Sequence, residues 1–381
     1  MKKIMKAASL LTAAILSVSL FAVPVSAQDN KTEEQPFFAE DALPYYAADF
    51  NAEYLPVYNE WREAIINGQP EWTYSNLRWQ GDADFIMKSM SMFLIYDPLT
   101  SHVDDFDVEV KGKVATVSIT YKMNKAEYDE AMTAADLAYK EISKTFGESA
   151  NTALKVKKIH DWLADNINYS IEAKHSDNLH GAFVGGLAKC DGYAKAFSYL
   201  LTRSGIENTV VIGETRDTTD DAGHAWSKVK IGKSWYIIDV TNNDTTENIG
   251  FIIYDYFMIP DSEYAAEFIE RDDPYVKEPI ANNADNTYYR QKKLVANDAQ
   301  TAVNLIQTQA KKQENLPFIM SVQLTSSKEY DRLIEMLYRD TTLFTDYIKI
   351  RGVTMTAYTL RNPEYCIVHI VVKNSKDAIE E

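Results

Sequence analysis

The chain has 381 residues, 46% of them hydrophobic and 25% charged, with a formal net charge of −17. That composition is ordinary for a soluble globular protein and excludes a disordered chain; at roughly 100–200 residues per domain, the length suggests two or three domains. The acidic balance argues against nucleic acid and against anionic membrane surfaces as partners.

Lys2, Lys3 and Lys6 precede an uncharged, mostly apolar run from Leu10 to Val23, and Val25-Ser26-Ala27 has the small-x-small pattern of a cleavage site. This predicts a signal peptide over residues 1–27, cut after Ala27. The run is short for a membrane span, which needs about 20 apolar residues, and Pro24 closes it. No other segment is long enough to cross, so no membrane anchor is expected after cleavage. Loss of the three lysines takes the net charge from −17 to −20. The expected location is extracellular or at the cell surface.

Residues 28–36 read as a flexible leader. Residues 37–149 read as an N-terminal α/β region. Within it, Pro56 to Asn67 has helical spacing, with Gly68 as the stop. Asp107–Val110 and Val114–Ile119 alternate around Lys111-Gly112-Lys113 as a hairpin, and Lys125 to Phe146 reads as a helix. Residues 150–282 read as the central domain. It opens with a helix from about Ala153 to Asn166, whose apolar stripe is Val156, Ile159, His160, Leu163 and Ile167. His160 on that stripe reads as a packed core residue. Residues 283–381 read as a small C-terminal α/β domain. Its expected order is helix over Asp298–Gln313, strand over Phe318–Leu324, helix over Ser327–Tyr338, then strands over Ile348–Leu360 and Glu364–Val372.

The candidate chemistry lies in the central domain. Gly185-Gly186-Leu187-Ala188-Lys189 reads as loop. From Cys190 onward, Tyr193, Phe197, Leu200 and Leu201 share a helical face that stops at Gly205. Cys190 therefore starts a helix, where the positive end of the dipole favours the thiolate. A space-filling buried Cys is the plain alternative. His224 and Asp239 flank a hairpin whose two-residue loop is Gly232-Lys233. That register pairs Ile231 with Ser234 and puts His224 and Asp239 on one face as diagonal neighbours; an odd loop would separate them. Asp239 is also the single charge in the apolar stretch Trp235 to Val240, and such a charge needs a partner. A carboxylate holding His224 would leave its other nitrogen for a thiol.

The blocks Cys190-Asp191-Gly192-Tyr193-Ala194, Gly223-His224-Ala225-Trp226 and Trp235-Tyr236-Ile237-Ile238-Asp239-Val240-Thr241 resemble the transglutaminase-like superfamily of bacterial secreted proteins. Ile159-His160-Asp161-Trp162-Leu163, Asn166-Ile167-Asn168-Tyr169, Ser204-Gly205-Ile206, Val210-Val211-Ile212-Gly213 and Tyr256-Phe257-Met258-Ile259 add to the likeness, which covers about Ala153 to Asp261. The resemblance implies an α+β fold with a papain-like core, in which the Cys-bearing helix packs on an antiparallel sheet. It implies Cys190 as nucleophile, His224 as base and Asp239 as orienter. It implies acyl transfer through a thioester on peptide or protein amides, ending in hydrolysis or crosslinking, with no cofactor. The backbone N–H of Cys190 and the side chain of His180 are the candidate oxyanion donors, and Trp226 is either a wall of the cleft or a packing residue.

Cys366 alternates with Val368, Ile370 and Val372, which predicts a core-facing structural thiol and disfavours a disulfide to Cys190. His102, His175 and His369 are isolated, so no metal site is expected. Asp217, Asp220 and Asp221 with Thr215, Thr218 and Thr219 read as a solvated loop, or second as a rim of the cleft. The expected partner is a peptide or protein substrate, with cell-wall association and oligomeric state left open. The rival function is an extracellular binding or adhesion protein that keeps the fold without catalysis.

Overall fold

The computed structural model describes residues 45, 54–78, 81–147, 149–216, 223–340 and 342–376, all within one unit that runs from Phe37 to Glu381. The signal peptide, the leader and the 217–222 loop expected from the sequence lie outside the described residues.

The chain first builds an aromatic module. Helix α1 (Leu55–Ile66) has Pro56 in its first turn, where a missing N–H costs nothing, and the chain leaves it through Gly68 at φ +71°. Strand β1 (Glu71–Ser75) and helix α2 (Gly81–Ser91) follow. A two-residue Gly112-Lys113 loop then joins β2 (Val103–Lys111) to β3 (Val114–Tyr121), and the sheet order is β1-β3-β2. Stacked pairs Trp61–Trp72 and Tyr58–Phe93, each 4.8 Å between ring centres, fill the space beneath.

Helix α3 (Lys125–Ser143) opens with a capping box. Asn124 accepts from the N–H groups of Ala126 and Glu127, and Glu127 accepts from the N–H of Asn124. It stops three residues before the expected Phe146, because the Thr145 hydroxyl and N–H both take the carbonyl of Ile142. Helix α4 (Thr152–Asn166) buries Val156, Ile159, His160 and Leu163 completely.

The central layer is an antiparallel sheet under one helix. Short β4 (Asn168–Tyr169) and β5 (Leu187–Ala188) pair in parallel, and β5 leads into α5 (Cys190–Arg203). Then come β6 (Asn208–Thr215), β7 (Gly223–Ile231), β8 (Ser234–Ile238) and α6 (Val240–Asn243). A small ribbon, β9 (Asp244–Thr245) and β10 (Phe251–Ile252), encloses α7 (Thr246–Ile249). The layer closes with β11 (Phe257–Ile259), α8 (Asp261–Tyr264) and β12 (Phe268–Glu270), giving the sheet order β11-β8-β7-β6-β12. Phe197, Leu200 and Leu201 of α5 share a core with Val229, Tyr236 and Ile238 of the sheet. This α+β arrangement, a Cys-bearing helix on an antiparallel sheet, is the one the resemblance implies.

The C-terminal layer contains α9 (Tyr288–Gln291), β13 (Val295–Ala296), α10 (Ala299–Ala310), β14 (Phe318–Leu324), α11 (Ser327–Arg339), α12 (Thr342–Thr345), β15 (Met355–Asn362) and β16 (Ile367–Asn374), in sheet order β13-β14-β16-β15. Three sequence expectations shift here. Helix α10 ends at Ala310 rather than Gln313. The strand expected from Ile348 begins only at Met355, because Ile348 is buried and Gly352 turns the chain at φ +81°. The strand expected from Glu364 begins at Ile367, because Cys366 adopts φ +52° in the turn before it. Cys366 still packs on the core of Val368, Ile370 and Val372, but only partly buried, and both cysteines are free thiols.

A buried cluster ties this layer to the central one. Asp255 is paired with His369 (3.0 Å) and accepts from Tyr289 Oη (2.7 Å) and Asn362 Nδ2 (3.0 Å). Burial alone would raise the Asp255 carboxyl, but the charge and hydrogen bond of His369, with the other two donors, hold it below its usual value. Ser321 Oγ meets the other nitrogen of His369 at 2.8 Å. Removing one partner of such a pair costs roughly 3–5 kcal/mol. His369→Ala is therefore expected to lower unfolding stability by about that amount, as read from its urea midpoint. A loss below about 1 kcal/mol would show that the cluster is not an anchor.

Candidate active site

Cys190 is the first residue of α5, behind Lys189, and is 9% exposed. Its N–H is among the first four of the helix, which have no intrahelical acceptor. Two glycines let the preceding loop close tightly around it. A Cβ on Gly192 would lie 2.3 Å from the carbonyl oxygen of Ser176, which accepts from Lys189 N–H at 2.9 Å. A Cβ on Gly181 would lie 2.2 Å from the carbonyl oxygen of His175. The Gly in Cys-Asp-Gly-Tyr is thus required by backbone approach. Tyr193 of the same motif donates to the Ile167 carbonyl (2.7 Å) and meets Asp244 (2.6 Å), which fixes the helix to β9.

His224 and Asp239 come together through the even hairpin. Ile231 pairs with Ser234 across Gly232-Lys233, and the ladder runs to Ser227 opposite Ile238. There the strand stops. Asp239 turns out of β8 and caps α6, accepting from Asn242 N–H at 3.1 Å. Its other oxygen accepts from His224 Nε2 (2.6 Å), Asn242 Nδ2 (2.7 Å) and Tyr264 Oη (2.8 Å). Four donors on one fully buried carboxylate satisfy it almost completely. Behind the histidine, Phe268 stacks on the ring at 4.8 Å. With Nε2 committed to Asp239, Nδ1 is the nitrogen left for a second partner, and the Cys190 thiol lies close enough to raise the His224 pKa.

The electrostatics follow from this geometry. Burial works to lower the His224 pKa, but the charge and hydrogen bond of Asp239, then those of Cys190, more than reverse it and hold the imidazole well above its ordinary range. Burial would raise the Asp239 carboxyl, but His224, Asn242 and Tyr264 hold it below its usual value.

Other sequence candidates fall elsewhere. The His180 ring packs against His175 at 4.9 Å and faces Glu130 at 3.6 Å, so it is turned to α3 rather than to the thiol. Trp226 is 2% exposed and packs on Tyr264 and His224, which makes it a support behind the imidazole rather than a wall of a cleft. Gly213 across the ladder makes room for it, since a Cβ there would meet the indole at 2.5 Å. His160 is fully buried, between Asp161 (3.0 Å) and Asn243 (3.1 Å). Among the described residues, no group of three or more His, Cys, Asp or Glu is placed to hold a metal ion, and no helix is long and apolar enough to cross a membrane. Sequence reasoning missed Asn242 and Tyr264. Asn242 had a signal, because Asp-x-x-Asn before a short helix is cap spacing; Tyr264, 25 residues from Asp239, had none.

The pair sets a pH window for stability. His224, raised in the fold, contributes fully below its unfolded value of about 6.5 and loses that contribution as pH rises through the raised value. Asp239, lowered in the fold, contributes fully above about 3.9 and loses it as pH falls through the lowered value. Asp239→Asn is therefore expected to cost most between about pH 4 and 6.5, with the gap to wild type narrowing on either side. Urea unfolding across pH checks this, and a gap independent of pH would contradict the ion pair.

Residues 140–240, which include Cys190, His224 and Asp239, match the model of the transglutaminase-like superfamily. No curated protein matches the chain. Among solved structures it is similar to a candidate cysteine protease from Cytophaga hutchinsonii, at 16% identity over 39% of this chain and 64% of that one, TM-score 0.26. It is similar to a TGase, at 16% identity over 45% and 51%, TM-score 0.26. It is also similar to the periplasmic domain of TgpA from Pseudomonas aeruginosa bound to ethylmercury, at 17% identity over 35% and 57%, TM-score 0.23. The chain thus spans 51–64% of the length of these three, and scores this low carry no further argument. The likeness to the transglutaminase-like superfamily is thus carried by the segment that holds the thiol, the imidazole and the carboxylate.

Proposed function

We propose that this protein is an exported cysteine acyltransferase that acts on peptide or protein amides. The observation that carries the reading is His224, hydrogen-bonded to the buried Asp239 (2.6 Å) and held within interaction range of Cys190 at the start of α5. Export rests on the signal-like N-terminus.

The chemistry follows from the groups in place. Cys190 Sγ attacks the amide carbonyl carbon as a thiolate, with His224 carrying the proton. The C–N bond breaks as His224 passes that proton to the departing amine, and a thioester remains on Cys190. Water or an amine then attacks the thioester, giving up a proton to His224, and Cys190 leaves as thiolate. Water gives hydrolysis; an amine gives a crosslink. Asp239 holds the ring in register through both halves. The N–H of Cys190, free of an intrahelical acceptor, is the donor available to the oxyanion.

Iodoacetamide labelling tests the reading, with Cys366 as internal control. Burial, then Asp331 and Glu364, push the Cys366 thiol up, so it reacts slowly near neutral pH. Cys190 is expected to react at least about tenfold faster than Cys366 at pH 6.5, and His224→Ala to remove most of that advantage. Equal rates, or a fast Cys190 indifferent to His224→Ala, would overturn the proposal.

A further inference from the structure

Strand β7 aims three side chains at one neighbour. His224, Trp226 and Lys228 alternate along the strand and so face the same side of the sheet. The chain from Asp261 to Glu270, which holds α8 and β12, packs against them. Phe268 of this segment stacks on His224 at 4.8 Å, Tyr264 packs on Trp226 at 4.9 Å, and Tyr264 and Phe268 stack on each other at 4.6 Å. Tyr264 also donates its hydroxyl to Asp239 at 2.8 Å. One short segment thus touches both members of the His224–Asp239 pair.

Lys228 grips that segment at both ends. It is 2% exposed and lies in the run Ala225 to Val229, which is buried throughout. Its Nζ is 3.0 Å from Asp261 Oδ1, and 3.0 and 2.7 Å from the two carboxylate oxygens of Glu270. Asp261 is the first residue of α8 and Glu270 the last of β12. A third acid, Glu278, is in range. Burial, then Glu270, push its carboxyl up to about 8, so it is neutral near pH 7 and leaves the ammonium to the other two. Backbone bonds hold each end separately: β12 pairs with β6, and Asp261 N–H donates to the carbonyl of Ala281 at 2.7 Å. The ammonium joins the two ends to each other and to β7. A buried ion pair yields little stability, because desolvation offsets most of its attraction. What this one fixes is position, since an ammonium enclosed in the sheet must keep its carboxylates.

We propose that Lys228 is a positioning residue for the His224–Asp239 pair: it closes the Asp261–Glu270 segment over β7, and so sets the Tyr264 hydroxyl on Asp239 and the Phe268 ring on His224. This rests on the acyl-transfer reading, since the imidazole so held is the one that serves Cys190 there. In that reading the ring must keep one orientation toward the thiol, and a ring free to turn supports the thiolate less well. A loosened segment therefore acts on Cys190 through His224.

Iodoacetamide labelling of Cys190 against pH tests this in Lys228→Met and in Glu270→Gln. The first variant removes a positive charge and the second a negative one. A field acting through space would therefore move the thiol midpoint up in the first and down in the second, whereas a loosened segment moves it up in both. Both variants are expected to raise the Cys190 midpoint, Lys228→Met by about one unit and Glu270→Gln by less, with Cys366 unchanged. Asp261 and Glu270 are 33% and 31% exposed and rehydrate once the ammonium is gone. Should Lys228→Met fail to fold, Glu270→Gln, which leaves Asp261 on the ammonium, carries the test alone. Shifts in opposite directions would assign the effect to the field and overturn the positioning role. No shift in either variant, with a low and His224-dependent midpoint in the wild type, would also overturn it and leave the acyl-transfer reading standing. A wild-type midpoint near the ordinary value of about 8.5, indifferent to His224→Ala, would overturn both claims together.

Discussion

A single buried carboxylate organises this protein. Asp239 is fully enclosed, and an isolated charge there would be far too costly to keep. It is kept because four donors converge on it, from α6, from α8 and from the end of β7. These donors arrive on three different pieces of chain. The requirement to satisfy one anion therefore fixes where the strand stops, where the next helix starts and how the imidazole is turned.

The layers around it follow from that demand. Asp239 N–H donates to the carbonyl of Tyr256 (3.0 Å), which continues the β8 edge toward β11. Tyr256 N–H in turn donates to Asn243 (3.0 Å), whose amide meets the buried His160. Residue 255, one step earlier, is the acid that anchors the C-terminal layer through His369. The C-terminal sheet is thus tied to the same short stretch of chain that braces Asp239. On the opposite side, Gly192 and Gly181 let the loop before Cys190 close to distances that any Cβ would forbid. The thiol is placed by what is missing from those two residues.

Much of this was legible in the sequence, for identifiable reasons. The Gly232-Lys233 loop has even length, so the register that puts His224 near Asp239 follows from counting. The apolar stripe of α4 and the face of α5 follow from helical period. The limits were equally physical. Counting along β8 extends the ladder through Asp239, whereas the carboxylate leaves the strand to cap a helix, because an Asx cap competes with pairing. His180 lies close to Cys190 in sequence, yet its ring is drawn to His175 and Glu130, contacts made by loop closure and invisible to local pattern. Tyr264 reaches Asp239 only through tertiary folding. In the C-terminal layer, hydrophobic runs overestimated the strands because Gly352 and Cys366 occupy left-handed conformations, and only the glycine signals that in sequence.

The central claim is that Asp239 and Cys190 together keep His224 protonated at neutral pH. Side-chain ¹⁵N NMR of His224 across pH 5–10 tests it most directly, with Cys190→Ala and Asp239→Asn alongside. The account predicts an imidazolium with both ring nitrogens protonated at pH 7, titrating well above the ordinary value of about 6.5. It further predicts that each substitution brings the midpoint down. A neutral ring at pH 7 in the wild type, with a midpoint near that ordinary value and no response to either substitution, would contradict it.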